Sequence, residues 1–138
     1  MAALPALPDI LDDYLLLDGE DRYRLLIDLG RELEPMPDPL KTDATKVRGC
    51  SASVWVYPTL RDGRLHFLAD SNAAITKGIV ALILAAVQDK PAVVVGGVDI
   101  NAALAPFELA KHLSANRTQG IPNMIALIQR TAARLAVS

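Results

Sequence analysis

The sequence predicts an α+β fold in which a small antiparallel sheet packs against several helices. Three observations carry this: helical periodicity at the N-terminal end, two β-rich runs joined by an Asp-Gly turn in the middle, and an almost wholly apolar helical run directly after them.

Taken in order, apolar residues recur at helical spacing from Asp9 to Leu17 (Ile10, Leu11, Tyr14, Leu15) and from Asp21 to Leu33 (Tyr23, Leu26, Ile27), which predicts two amphipathic helices. Asp18-Gly19 supplies a stop and a turn between them, and Asp21 lies where a carboxylate suits a helix N-terminus. Pro35, Pro37 and Pro39 remove backbone donors, so residues 34 to 46 read as a surface loop. Strands are predicted near 53 to 59 and 64 to 69, joined into an antiparallel hairpin by Arg61-Asp62-Gly63. Asp70 or Ser71 is placed to cap a helix running to about Gln88, and its stretch Ile79-Val80-Ala81-Leu82-Ile83-Leu84 marks it as the central buried helix. Beyond Pro91 come an apolar run from Ala92 to Val95, a Gly96-Gly97 break and a short helix around Ala103 to His112. The last helix gathers Met124, Ile125, Ile128 and Leu135 on one face, with Ser114 as a candidate cap and Pro122 predicting a kink or a restart.

A chain of 138 residues is long enough to bury roughly two-thirds of its unfolded surface, and no repeat or low-complexity linker divides it, so residues 1–138 read as one domain. With 51% hydrophobic and 22% charged residues the disordered class is excluded. The longest apolar run, Ile79 to Val87, reaches about half of the ~20 residues of a membrane span, and Met1 to Pro8 lacks a basic n-region, so neither a membrane nor a secretory route is expected. A lone cysteine forms no intrachain disulfide, which suits a reducing, cytoplasmic compartment. A net charge of −2 lacks the basic excess that nucleic-acid binding uses. With only His66 and His112 beside the cysteine, no sequence-local metal cluster is present, and no cofactor is expected.

The lone thiol is Cys50, in Val47-Arg48-Gly49-Cys50-Ser51-Ala52-Ser53, between the proline-rich segment and the first strand. Gly49 leaves room for an approaching sulfur, and Lys46 and Arg48 favour the thiolate, the form that attacks. The alternative is a buried structural cysteine, since free cysteine usually behaves as a small hydrophobe. Composition leaves both readings open.

Four segments then resemble, in order and over nearly the whole chain, the SufE-like sulfur acceptors that activate cysteine desulfurases. They are Asp21-Arg22-Tyr23 with Leu26-Ile27-x-Leu29-Gly30; Val47-x-Gly49-Cys50 leading into Val54-Trp55; Asp70-Ser71-x-Ala73-Ala74-Ile75-x-Lys77-Gly78; and His112-Leu113-Ser114-x-x-Arg117-x-x-Gly120-Ile121-x-x-Met124. The resemblance implies a SufE/IscU-like fold and makes Cys50 the acceptor that takes persulfide sulfur from a pyridoxal-phosphate, SufS-like cysteine desulfurase. It further implies that this sulfur passes to a downstream scaffold for iron–sulfur cluster assembly, that the cofactor belongs to the partner, and that the chain is a carrier and not a stand-alone enzyme. Arg117 matches an arginine position of the family, and a guanidinium near Cys50 would stabilise a thiolate or persulfide anion. The chain departs from the pattern at Ser51-Ala52, at Asn72, where an acidic residue is common, at Pro122 and at Gly96-Gly97. A carrier must both shelter and deliver its sulfur, so two positions of the 46 to 52 segment are expected.

Other residues have structural readings. His66 alternates onto one strand face and is expected to be structural, whereas His112 is undecided as a partner for Cys50. Trp55 and Tyr57 are expected in the core, Lys77 is expected to reach solvent, and Gly78 implies a close packing contact. Rival functions are a non-catalytic adaptor with a buried cysteine, a Cys-dependent hydrolase, which needs a base and an oxyanion site, and a cluster scaffold, for which one cysteine is too few.

Overall fold

Helices α1 (Leu7–Leu15) and α2 (Gly19–Arg31) form where the periodicity predicts them, and a computed structural model describes residues 4–49, 53–109 and 120–136 of the chain. Pro8 in the first turn of α1 removes only an N–H that no helix would use. The α1 C-terminus is closed by Arg22 of α2, whose Nε donates to the carbonyls of Tyr14 at 3.0 Å and Leu17 at 2.7 Å. The same guanidinium stands 4.8 Å from the Tyr14 ring centroid, so one side chain joins the two helices by charge-assisted bonding and a cation–π contact.

Strands β1 (Val54–Arg61) and β2 (Arg64–Ser71) pair antiparallel from Val54↔Ser71 to Arg61↔Arg64. The turn between them holds Asp62 and Gly63 at φ 53° and 76°, the left-handed pair that a two-residue hairpin needs and that Asp-Gly adopts readily. Val54, Val56, Leu65, Phe67 and Ala69 lie on one face of the pair and are buried in the main core. Helix α3 (Ala74–Val87) packs on β2 and is the centre of that core, with Ala81, Leu82, Leu84 and Val87 fully buried, as the apolar run predicts. Where α2 crosses α3, glycine meets glycine: a Cβ built on Gly30 would stand 2.8 Å from the Gly78 backbone nitrogen, and one built on Gly78 would run into the Leu26 carbonyl. The close contact expected at Gly78 is therefore backbone against backbone.

Several expectations need correction. Neither Asp70 nor Ser71 caps α3, because β2 continues to Ser71 and the N-cap is Ala73, without a side-chain bond. Ser71 Oγ instead accepts from the Ala73 N–H at 3.2 Å. The proline-rich segment is more than a solvated loop. It contains a 3-10 turn (Asp38–Leu40), buries Met36 and runs over the second sheet face, touching His66 through Glu34 and Asp70 through Lys41. Trp55 and Tyr57 lie on that second face, so Trp55 is half-buried and Tyr57 is 38% exposed; neither belongs to the main core.

A two-residue strand, β3 (Lys90–Pro91), adds to the free edge of β2, giving the order β1-β2-β3. Beyond its end the Gln88 amide takes over as an edge partner: it accepts from Phe67 N–H at 2.7 Å and donates to Phe67 O at 2.8 Å. Helix α4 (Ala92–Gly96) follows. The next helix, α5 (Ile100–Leu104), starts before the expected Ala103 because Asp99 caps it, accepting from Ala102 N–H at 3.0 Å. It gives way to a 3-10 turn (Ala105–Phe107) carrying Pro106, so the predicted helix to His112 is not seen up to Leu109, and residues 110–119 lie outside the described part. Helix α6 (Gly120–Ala136) buries Met124, Ile125 and Ile128 and packs on α4; Pro122 falls in its first turn, where no intrahelical N–H is lost, so the helix runs on from it without interruption. Among the described residues no helix is long and apolar enough to cross a membrane.

Candidate functional site

The ends of the Cys50 segment are defined by hydrogen bonds on both sides. Val47 N–H donates to Val54 O at 2.8 Å, Val56 N–H donates to Thr45 O at 2.9 Å, and Lys46 bridges Trp55 in antiparallel sense. Residues 45 to 47 thus run along the outer edge of β1, and the Val47–Val54 bond closes a loop over residues 48 to 53. Cys50, Ser51 and Ala52 lie inside this loop but outside the described residues.

On the entering side, the Arg48 carbonyl accepts from Asn123 Nδ2 at 2.7 Å, a bond that reaches from the first turns of α6. Gly49 follows at φ +84°, and a Cβ there would collide with the Asn123 amide. Backbone conformation and space therefore both require glycine before the cysteine. On the leaving side both backbone groups of Ser53 are held: its N–H donates to Asn72 Oδ1 at 3.1 Å, and its carbonyl accepts from Ser71 Oγ at 2.8 Å and from Asn72 N–H at 3.2 Å. Asn72, where the resemblance leads to the expectation of an acidic residue, is thus one of the two that fasten the loop to the β2–α3 junction.

Beside this junction, Asp70 gathers two cations. Its Oδ2 lies 2.7 Å from Lys41 Nζ and its Oδ1 3.2 Å from Lys77 Nζ, while Ser71 N–H donates to Oδ1 at 2.8 Å. Burial works to raise the Asp70 pKa, but the bonds from Lys41, Ser71 N–H and Lys77 outweigh it and hold the carboxyl below the usual carboxylate range. Asp70 in turn raises the Lys41 pKa. Lys41 Nζ also lies 5.8 Å from the Trp55 ring centroid, which explains how a tryptophan outside the core is kept half-covered. Lys77 accordingly reaches back to a carboxylate on its way to solvent.

Of the residues singled out in the sequence, Arg117 and His112 lie, like Cys50, outside the described residues, as does the candidate cap Ser114. Lys46 and Arg48 are exposed at the loop entrance. His66 is elsewhere, toward the hairpin end of β2, with Nδ1 2.6 Å from Asp89 Oδ1 and Nε2 3.3 Å from Glu34 Oε1. Both ring nitrogens are engaged, so its role is structural, as expected. Asn123 carries no sequence signal, because nothing local links it to Arg48. Asp70 stands in a recognised segment, where its position suggests a helix cap and not an ion pair. Among the described residues no group of three or more His, Cys, Asp or Glu side chains is arranged to hold a metal ion.

The arrangement defines a small α+β protein that carries one cysteine on a loop stapled to the end of its sheet. The ends of that loop are fixed by described residues, and two basic side chains, Lys46 and Arg48, stand exposed at its entrance. The chain belongs to the SufE family: the family model described as an Fe-S metabolism associated domain matches residues 9–132. It is 36% identical over 134 residues to an uncharacterized SufE-like protein of Rhizobium meliloti (strain 1021), covering 94% of this chain and 96% of that one. It is 38% identical over 107 residues to the sulfur acceptor protein CsdE of Escherichia coli (strain K12), covering 77% of this chain and 73% of that one. The solution structure of a hypothetical protein from Thermus thermophilus has a TM-score of 0.78 with this chain, over 99% of this chain and 100% of that one at 16% identity, which shows a shared fold.

Proposed function

We propose that this protein acts as a sulfur acceptor and activator of a cysteine desulfurase, working as one SufE-like domain over residues 1–138 in the cytoplasm, with Cys50 as the acceptor. The observation that carries the reading is the position of the chain's lone cysteine in a loop held at both ends, in a chain that belongs to the SufE family and resembles a protein named as a sulfur acceptor. The partner is a pyridoxal-phosphate, SufS-like desulfurase whose own cysteine carries a persulfide. Cys50 attacks as thiolate at the outer sulfur of that persulfide. A new S–S bond forms on Cys50 while the S–S bond to the desulfurase cysteine breaks, and the electron pair leaves with that cysteine as thiolate. The outer sulfur keeps its proton or charge, so the exchange has no net oxidation.

Lys46 and Arg48 favour the thiolate before attack, and Arg117 is assigned to steady the thiolate or persulfide anion. A downstream scaffold then takes the sulfur for iron–sulfur cluster assembly. The test is to mix the protein with a pyridoxal-phosphate cysteine desulfurase and free cysteine and to measure its intact mass without reductant. One added sulfur on Cys50 is expected, and none on Cys50→Ser. A parent protein that gains no sulfur while the desulfurase turns over would overturn the reading.

A further inference from the structure

A side chain bonded to the residues just before Cys50 comes from the far end of the sequence. Asn123 Nδ2 donates to the Arg48 carbonyl at 2.7 Å across 75 residues of sequence. It is also the group that a Cβ on Gly49 would strike. These two contacts fall on consecutive residues directly before Cys50, and they act together. The hydrogen bond favours one orientation of the peptide unit between Arg48 and Gly49, and the amide fills the space that a Gly49 Cβ would need, beside a backbone at φ +84°. The two residues that lead into the Cys50 segment are therefore both contacted from α6. Helix α6 is itself anchored, since Met124 and Ile125, directly after Asn123, are buried in the main core.

We propose that Asn123 is a positioning residue for the sulfur-acceptor step: it orients the entry to the Cys50 loop and so pre-organises the thiol for its partner. This inference rests on Cys50 being the acceptor. The other loop staples, Ser71 and Asn72, act on Ser53, on the far side of Cys50, and the Val47–Val54 bond closes the loop without orienting the peptide that follows Arg48. Asn123 alone among the described side chains bonds to the residues between Val47 and Cys50. Its loss removes one exposed hydrogen bond, which leaves the fold intact but spreads the loop over more conformations, and the cost appears on docking.

The experiment compares the parent, Asn123→Ala, Asn123→Asp, which keeps the shape, loses the donor and adds a negative charge that the uncharged Ala variant controls for, and Asn123→Gln, which keeps the donor on a longer arm. Two readouts are used. In the first, no desulfurase is present, and the rate of Cys50 alkylation by iodoacetamide is followed at fixed pH. Asn123→Ala and Asn123→Asp are expected to depart from the parent by about twofold or more, with an unchanged thermal midpoint and with Asn123→Gln in between. In the second, stimulation of a cysteine desulfurase is titrated with each protein. The half-saturating concentration is expected to rise about two- to tenfold for the Ala and Asp variants, while the maximal rate holds. Parent-like alkylation and titration by both variants would overturn the proposal, and so would a fall in maximal rate that tracks a lowered thermal midpoint. If Cys50→Ser stimulates as well as the parent, the acceptor reading is what fails, and the alkylation arm still reports on whether Asn123 orients the loop.

Discussion

At the scale of single residues, the described positions on either side of the Cys50 segment are set by geometry. Gly49 must be glycine because its φ of +84° and the Asn123 amide leave no place for a Cβ. Ser53 is tied through its backbone by Ser71 and Asn72. Cys50→Ser, which changes one atom next to Gly49 and Ser51, is expected to fold with a thermal midpoint within about 2 °C of the parent. A hydroxyl is scarcely ionised at neutral pH and holds no persulfide, so stimulation of the desulfurase should vanish. Because the docking surface is unchanged, the variant should compete with the parent in a mixed titration. Full stimulation by Cys50→Ser would return the chain to the adaptor reading.

Among elements, two contacts hold together the framework that carries the loop. The α2–α3 crossing brings backbones together at Gly30 and Gly78, and this sets where the α3 N-terminus, with Asn72 just before it, meets the loop. Gly78→Ala gains about 1 kcal/mol of helix propensity but pushes a methyl group into the Leu26 carbonyl. Neither helix backbone can yield as a side chain would, so a net loss of about 2–3 kcal/mol is expected in urea unfolding. Gly19, where an added Cβ would meet nothing within 4 Å, is the control: Gly19→Ala should be neutral or slightly stabilising. The second contact is the Gln88 amide on the Phe67 backbone, which ends the sheet edge where β3 stops. Gln88→Ala leaves one N–H and one carbonyl of a nearly buried residue without that partner, and a loss of about 1–3 kcal/mol should follow. Unaltered stability would mean that water replaces the amide without cost.

For the molecule as a whole, carboxylates on the second sheet face set the response to pH. Hydrogen bonding from Arg61 lowers the Glu34 pKa, with a further contribution from His66, and Asp70 is lowered against its own burial by Lys41, Ser71 N–H and Lys77. A carboxyl whose folded pKa lies below its unfolded one binds its proton more weakly in the folded state. Its stabilisation is complete above the unfolded value, near 4, and is lost as pH falls through the folded one. Lys41 is shifted upward, so its contribution is present below the unfolded lysine value, near 10.4, and is lost as pH rises through the folded one. The thermal midpoint should therefore be level between about pH 5 and 9 and fall on the acid side. Asp70→Asn should cost about 1–2 kcal/mol of stability on the plateau, read as a lower midpoint, and shallow the acid limb. An acid limb identical in parent and variant would remove Asp70 from this account.

What is legible in the sequence comes from signals that are local and periodic. The α1, α2 and α3 helices announce themselves through spacing, the hairpin through Asp62-Gly63 and alternation, and the close approach at Gly78 through a glycine in an apolar helix. Four segments in family order also pick out Cys50 and its role as an expectation. The tertiary structure decided what depends on reach between distant positions. Asp70 became a partner for Lys41 and Lys77 and not a helix cap, because β2 runs one residue past it and the proline-rich segment folds back over the sheet. Trp55 and Tyr57 left the core because Val54 and Val56 took the face toward α3, and a strand can give each face only alternate residues. Asn123 came to the cysteine loop only because α6 packs on α4 and lays its first turns against Arg48. A single side-chain amide meeting a single carbonyl leaves no periodicity, no charge pattern and no turn signal, so the chain had to fold before that pairing could be seen.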